Sequence, residues 1–172
     1  RFSIVTPSYN QAEFVAKTLK SVQDQVGVDY EHLIFDALST DGTADLLSEY
    51  VKSNDRARLF SGKDGGQADA INKGFMAARG DIVTWLNTDD YYPHERVLAR
   101  VSELFAADDS IDVVYGQGRF VSPAGELVRD VFINPNHDEL ADLLFTTVGI
   151  LQPALFFKRS AFQKAGLMDD AM

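Results

Sequence analysis

Two adjacent carboxylates, Asp89 and Asp90, follow an apolar run in the stretch DIVTWLNTDDYYP, residues 81–93. Neighbouring like charges repel each other, so their position at the end of a buried strand needs a reason. Magnesium and manganese prefer oxygen ligands, commonly one or two carboxylates completed by substrate phosphates and water. The pair therefore predicts a divalent-cation site. The alternative is that one aspartate only caps a helix entered at Pro93, a common role for this residue.

Further polar residues fall at the ends of neighbouring apolar runs. These ends carry residues 6–10, Asp36, residues 61–64 and residues 87–90. In an open parallel sheet, ligands bind beyond the carboxyl ends of the strands, so we expect these side chains on one rim. This convergence of residues far apart in sequence is the strongest functional signal in the chain.

Hydrophobic periodicity predicts the elements that position this rim. Strands alternate with helices, which indicates right-handed βαβ units and a mostly parallel sheet sandwiched by helices, a Rossmann-like α/β architecture. The predicted strands are Phe2–Thr6, Tyr30–Asp36, Ala57–Ser61, Asp81–Asn87 and Ile111–Gly116. The predicted helices are Gln11–Gln25, Thr43–Ser53, Gly66–Ala78 and Pro93–Ala107.

The alternation ends at Gly116. Beyond it, the pattern predicts a hairpin that turns at residues 123–125, a helix over 138–145, an apolar strand over 150–157 and a helix over 160–165. We therefore expect residues 1–172 to form one domain, with a nucleotide-binding half over 1–116 and an appended half over 117–172.

Bulk composition limits the function classes. A net charge of −10 argues against nucleic acid as a partner, and it would repel a phosphate-bearing ligand unless a divalent cation intervened. No apolar run approaches the ~18 residues of a membrane span, so we expect no transmembrane segment. The absence of cysteine excludes a thiolate nucleophile and fits a cytoplasmic location, which allows peripheral contact with the inner face of the membrane.

Several familiar chemistries lack their motifs. The first strand-to-helix turn has no glycine fingerprint for a dinucleotide, SGKDGG is not a phosphate loop, and no Gly-x-Ser-x-Gly elbow occurs. His32, His94 and His137 lack metal-ligand spacing and are interpreted as structural or surface residues. Trp85 is interpreted as part of the sheet core.

Four stretches of the chain, at residues 3–25, 36–43, 62–93 and 113–116, resemble the family-two inverting glycosyltransferases of the GT-A fold. They occur in the order and at the spacing of that family. The resemblance implies transfer of a sugar from a nucleotide-sugar, expected to be a UDP-sugar, to an acceptor hydroxyl with inversion and with magnesium or manganese. It also implies polysaccharide synthesis at the cell envelope, on a glycan, lipid-linked or protein acceptor.

The resemblance implies roles for residues on the donor side. Thr6 and Tyr9 would hold the nucleotide base, with the tyrosine ring available to stack. Asp36 would accept a hydrogen bond from the N3–H of uracil. Asp90 is the leading metal ligand, and Asp89 would share the metal or contact the ribose. For Tyr9 the structural alternative is a rim aromatic packed on its neighbours.

Two further roles and two departures concern other positions. Asp69 would face the donor sugar, although a helix first-turn aspartate that complements the dipole is the competing interpretation. Gln152 would line the acceptor side. Asn87 stands where the family often has a first aspartate, and Ile71 stands where many relatives have arginine.

Inverting transfer also needs a general base on the acceptor side. GLMDD, residues 166–170, matches the family stretch that precedes this acid, so Asp169 and Asp170 are secondary candidates and the base is expected beyond Met172. The chain is therefore expected to be a fragment that binds donor without transferring sugar. Two rival hypotheses are a nucleotide- or sugar-binding domain without catalysis and a sugar-phosphate nucleotidyltransferase.

Overall fold

The computed structural model describes residues 1–132 and 151–169. The strands in these ranges are β1 Phe2–Ser8, β2 Tyr30–Asp36, β3 Ala57–Ser61, β4 Ile82–Trp85, β5 Val113–Tyr115, β6 Gly118–Val121, β7 Leu127–Val131 and β8 Leu155–Lys158. The helices are α1 Val15–Gln23, α2 Thr43–Ser53, α3 Gln67–Ala77, α4 Val97–Ala107 and α5 Arg159–Ala165, with a 3₁₀ turn at Gln152–Ala154. The helix predicted over 138–145 lies outside the described residues, as do His137 and Asp170.

Six strands form one sheet in the order β3-β2-β1-β4-β8-β5. The first four are parallel to one another, which confirms the predicted mostly parallel sheet. β8 is antiparallel to both β4 and β5 and separates them. The sequence did not predict this insertion, because a short apolar run carries no signal for its direction. The predicted hairpin is present as the antiparallel pair β6–β7.

Helices cover both faces of the sheet because successive strand residues point to opposite sides. Phe2 and Ile4 of β1 pack into an apolar cluster with α1 and α4, whereas Val5 packs into another with α3. Gly74 allows α3 to lie directly on β1, since a Cβ there would stand 2.3 Å from Val5 Cγ1. This close approach fixes α3 against the strand whose end lies at the centre of the rim.

Two helix starts differ from the prediction. α1 begins at Val15, not Gln11, and α4 begins at Val97, not Pro93. Gln25, just after α1, explains the second difference: its side chain donates to His94 O at 2.8 Å and accepts from Leu98 N at 3.1 Å. The main chain on both sides of the start of α4 is therefore held by a residue from another part of the fold.

Strand ends also differ from the prediction. β1 continues to Ser8, two residues further than expected. The predicted strand over 150–157 begins only at Leu155, since the three residues before it form the 3₁₀ turn. Within the two described ranges, no helix is long and apolar enough to cross a membrane.

Candidate functional site

The carboxyl ends of β1, β2, β3 and β4 meet at one edge of the sheet, here called the rim. The register pairs Ser8 with Asp36, Asp36 with Ser61, and Val5 with Trp85. β1 lies between β2 and β4, so these two strands run roughly 10 Å apart across the sheet. The sheet thus brings the loop after β2 and the acidic loop after β4 to the same edge.

Asp36 ends β2 and is only 2% exposed. Its carboxylate accepts hydrogen bonds from the main-chain N–H of Ser39, at 3.0 Å, and from the Ser39 hydroxyl. A carboxylate has about four acceptor positions, so capacity for a further donor remains. The sequence analysis did not identify Ser39 as a partner of Asp36. Its position three residues after Asp36, in the STDGT turn, is the signal that could have indicated this role.

The loop that carries Tyr9 is braced by the loop after β2. Asn10 adopts φ 52°, accepts from Thr40 N at 2.9 Å and donates its own N–H to Ser39 Oγ at 2.9 Å. Asp41 accepts from Ala12 N at 3.0 Å. Tyr9 itself is 61% exposed, so the alternative of a ring packed on its neighbours does not hold and the ring is open to a ligand.

Thr6 does not present its side chain at the rim. It is fully buried, and its hydroxyl is hydrogen-bonded to His32 Nε2 at 2.9 Å. His32 is in turn hydrogen-bonded to the Tyr50 hydroxyl at 3.0 Å, and burial lowers the pKa of this ring to about 3. His32 is thus structural, as interpreted from the sequence, and only the main chain of Thr6 could serve a ligand near the base.

The acidic loop after β4 exposes one carboxylate and half-buries the other. Asp89 is exposed, and Asp90 is partly buried. Burial, and then the adjacent Asp89 charge, raises the pKa of Asp90 to about 6, against a weaker opposing hydrogen bond from Asn87. Neither aspartate caps α4, which begins seven residues after Asp90 and has no side-chain cap. The structural alternative for the pair is therefore not observed.

Side chains of α1 hold this loop in place. The Thr18 hydroxyl lies 2.8 Å from Thr88 O and 2.7 Å from Asp90 O, and Ser21 Oγ accepts from Tyr92 N at 3.2 Å. The main chain of the acidic loop is therefore fixed by a neighbouring helix. Its carboxylates, by contrast, have few partners among the described residues.

Asn87 joins three parts of the site through its amide. It accepts from Gln67 Nε2 at 2.7 Å and donates to Gln152 Oε1 at 2.9 Å and to Asp90 Oδ2 at 3.3 Å. Gln152 also donates to Trp85 O at 2.7 Å. An aspartate at position 87 would lack the donors that two of these hydrogen bonds use. The amide of Gln152, predicted for the acceptor side, is thus bonded to the acidic loop.

Asp69 lies in the first turn of α3 with its carboxylate occupied by protein groups. It pairs with Lys73 at 2.7 Å and accepts from Gly65 N at 2.8 Å, and these partners lower its pKa, with the Lys73 bond the main cause. This geometry fits the structural interpretation of Asp69. Ile71, on the same helix, is 2% exposed in the apolar cluster with Val5, where an arginine would bury its charge.

The rim fits a cation held jointly with a ligand. No group of three or more His, Cys, Asp or Glu that could hold a metal occurs within residues 1–132 and 151–169. Magnesium, however, is commonly bound by one or two carboxylates together with substrate phosphates. Asp90, half-buried beside Asp89 and with a raised pKa, is an under-compensated charge of the kind that a cation relieves.

Solved structures share this arrangement of sheet and helices. The crystal structure of S. aureus TarS 1–349 in complex with UDP superimposes with a TM-score of 0.75 at 19% identity, over 99% of this chain and 51% of that one. The mannosyltransferase PcManGT of Pyrobaculum calidifontis, in complex with GDP-Man and Mn²⁺, does so with a TM-score of 0.70 at 19% identity, over 99% and 48%. The likeness confirms the predicted GT-A fold.

The sheet, its helices and the acidic rim define a glycosyltransferase domain of the GT-A class. The chain belongs to glycosyl transferase family 2, whose sequence profile matches residues 3–166. A relative, the chondroitin synthase of Pasteurella multocida (strain Pm70), is 33% identical over 128 residues. That match covers 74% of this chain but 13% of the synthase, so the chain spans a small part of that relative's length.

Proposed function

We propose that this chain binds the donor in an inverting glycosyltransferase that moves a sugar from a UDP-sugar to an acceptor hydroxyl, assisted by magnesium or manganese. The observation that carries the proposal is the Asp89–Asp90 pair: it caps no helix and lies on the same rim as Asp36 and the exposed Tyr9. Paired charges without a structural role cost stability, so a ligand is the best reason for them.

Asp36 and Tyr9 would bind the base. A ring that is 61% exposed at the end of β1 can stack on a planar heterocycle, and stacking does not depend on the identity of the base. A carboxylate can accept from N3–H of uracil but repels the N3 lone pair of cytosine. Asp36 would therefore supply the selectivity that Tyr9 lacks.

Asp90 and Asp89 would hold the cation, which when bound stabilises the negative charge of the departing diphosphate. Thr18 fixes the main chain on which both carboxylates stand, and Asn87 orients one oxygen of Asp90. Such fixed geometry reduces the reorganisation that ligand binding would otherwise require.

We further propose that the general base is an acidic residue that follows the GLMDD stretch, with Asp169 and Asp170 as secondary candidates. The protein would work in the cytoplasm in the synthesis of a cell-envelope polysaccharide. The chondroitin synthase relative supports the synthesis of a polysaccharide. The family match decides against the nucleotidyltransferase hypothesis. A binding domain without catalysis would have the same rim, so only an assay of sugar transfer distinguishes it from an enzyme.

The test is a thermal-shift titration with UDP, CDP and GDP, each with and without manganese. Under the proposal UDP stabilises the protein most, and only with the metal; a ligand at 100 times its dissociation constant adds about 2.7 kcal/mol. A larger shift with GDP would indicate a guanine-sugar donor. No shift with any nucleotide would refute the proposed function. UDP release from a UDP-sugar by the full-length protein then separates an enzyme from a binding domain.

A further inference from the structure

Asn72 joins α3 to the chain segment that follows α5. Its side chain is 5% exposed, and its hydrogen-bond partner lies 96 residues further along the chain. Nδ2 donates to Met168 O at 2.9 Å, and Oδ1 accepts from Met168 N at 2.9 Å. The amide thus pairs with the main chain as a neighbouring strand would, and both of its polar ends are used.

The helix that carries Asn72 is itself fixed at the rim. At its first residue, Gln67 donates to Asn87 in the acidic loop, and further along Gly74 lies directly against Val5 of β1. A helix rises about 1.5 Å per residue, so Asn72 lies roughly 7.5 Å along the axis from Gln67. Met168 is therefore held at a set distance from the acidic loop.

The segment after α5 reaches Asn72 through a defined turn. α5 ends at Ala165, and the next residue, Gly166, has φ 93° and donates its N–H to Phe162 O at 3.0 Å. Phe162 packs on Phe75 of α3 with ring centroids 4.9 Å apart, and Met168 packs against the same apolar cluster. The next residue is Asp169, where the acidic stretch begins.

We propose that Asn72 is a positioning residue for the acceptor half of the reaction. By holding the main chain at Met168, it fixes the start of the acidic stretch, at Asp169, relative to the donor rim. The inference rests on the proposed function, because a general base must lie within about 3 Å of the hydroxyl that it deprotonates. Asn72 acts through the main chain and touches no reactant.

The test compares Asn72→Ala with Asn54→Ala in the full-length protein. Asn54 is a matched control: it is also 5% exposed, donates to Tyr50 OH at 2.9 Å and accepts from Arg56 N at 3.1 Å, at the other end of the sheet. The donor is the UDP-sugar that stabilises the wild-type protein most. The measurements are UDP affinity by calorimetry, UDP release at saturating donor, and amide exchange in residues 166–169.

For Asn72→Ala we expect UDP release to fall about 100-fold, since a misplacement of 1 Å can cost that much. UDP affinity should stay within about twofold, because both hydrogen bonds of the Asn72 amide go to the main chain of Met168 and neither goes to a residue proposed to bind the nucleotide or the cation. Exchange in 166–169 should rise in this variant only. Release within about threefold of wild type, an equal loss in Asn54→Ala, or UDP affinity falling in step with release would overturn the inference. A wild-type protein that binds no nucleotide would instead refute the proposed function.

Discussion

Each end of the parallel sheet carries a partly or fully buried carboxylate, and the pKa values of these two groups are shifted in opposite directions. Glu31 lies at the amino end of β2, and Asp90 lies beyond the carboxyl end of β4. The pKa of Glu31 is lowered, whereas that of Asp90 is raised to about 6. Because both side chains carry the same group, the difference reflects their partners.

Glu31 is fully compensated. Burial by itself would raise its pKa, but the Ser3 hydroxyl at 2.6 Å, the Arg79 main-chain N–H at 2.6 Å and the Arg58 guanidinium at 2.8 Å outweigh that effect. Gly80 closes the group, since its N–H donates to Ser3 Oγ at 2.8 Å. This network joins β1, β2, β3 and the turn before β4, and it has the character of a structural site.

Asp90 has the opposite surroundings. One weak hydrogen bond from Asn87 and a like charge on Asp89 leave its negative charge under-compensated. A fold retains such a charge at a cost in stability. The comparison indicates that the charged groups at the amino end of the sheet stabilise the fold, whereas the carboxyl end keeps a charge that protein groups do not compensate, as the proposed donor site requires.

The largest expected effect is on the structural end. Glu31→Ala should lower the free energy of unfolding by about 3 kcal/mol, because the Ser3 hydroxyl and the Arg79 N–H both lose their acceptor and Arg58 loses its partner. Urea denaturation measures this loss. UDP affinity of the folded variant should not change. A stable variant that loses UDP binding would reverse the assignment of the two ends.

Asp90→Asn should act on binding alone. We expect manganese-dependent UDP affinity to fall about 100-fold, since the metal loses a charged ligand, which corresponds to about 2.7 kcal/mol. The metal-free variant should be no less stable than the wild type, because the substitution removes a charge repelled by Asp89. Calorimetry and urea denaturation give the two values. Unchanged, still metal-dependent binding would exclude Asp90 as a ligand.

The preference for uracil over cytosine tests the role proposed for Asp36 at the rim. CDP should bind about tenfold more weakly than UDP, because the cytosine N3 lone pair would face the Asp36 carboxylate. Asp36→Asn, whose amide can both donate and accept, should remove most of this preference. Competition titrations with the two nucleotides measure the ratio. Equal affinities in the wild type would show that Asp36 does not read the base.

The smallest expected effect is on the pH dependence of stability, through the buried ring of His32 between the two ends of the sheet. His32 has a pKa near 6.5 in the unfolded chain and about 3 in the folded protein, so unfolding takes up a proton between these values. Stability contributed by the neutral ring is complete above pH 6.5 and falls as the pH decreases, by about 1 kcal/mol from pH 6.5 to 5.5. His32→Gln should have a shallower pH slope in urea denaturation. Parallel slopes would mean that water reaches the ring.

Periodicity predicted the strands and helices of residues 1–116, since each element buries one face and its apolar spacing records which one. It failed where another element decided the conformation. The start of α4 depends on Gln25, just after α1, and the position of β8 between β4 and β5 depends on pairing over a long distance. No local pattern contains those interactions.

The sequence by itself determined the fold class, the family and the acidic composition of the rim. Hydrophobic spacing and the run ending in Asp89 and Asp90 are local properties, and local properties can be read along a chain. Tertiary structure alone decided which polar groups are already occupied. Thr6 is bonded to His32, and Asp69 to Lys73, whereas Asp90 lacks compensation, because hydrogen-bond partners are chosen in space among residues that the chain keeps far apart.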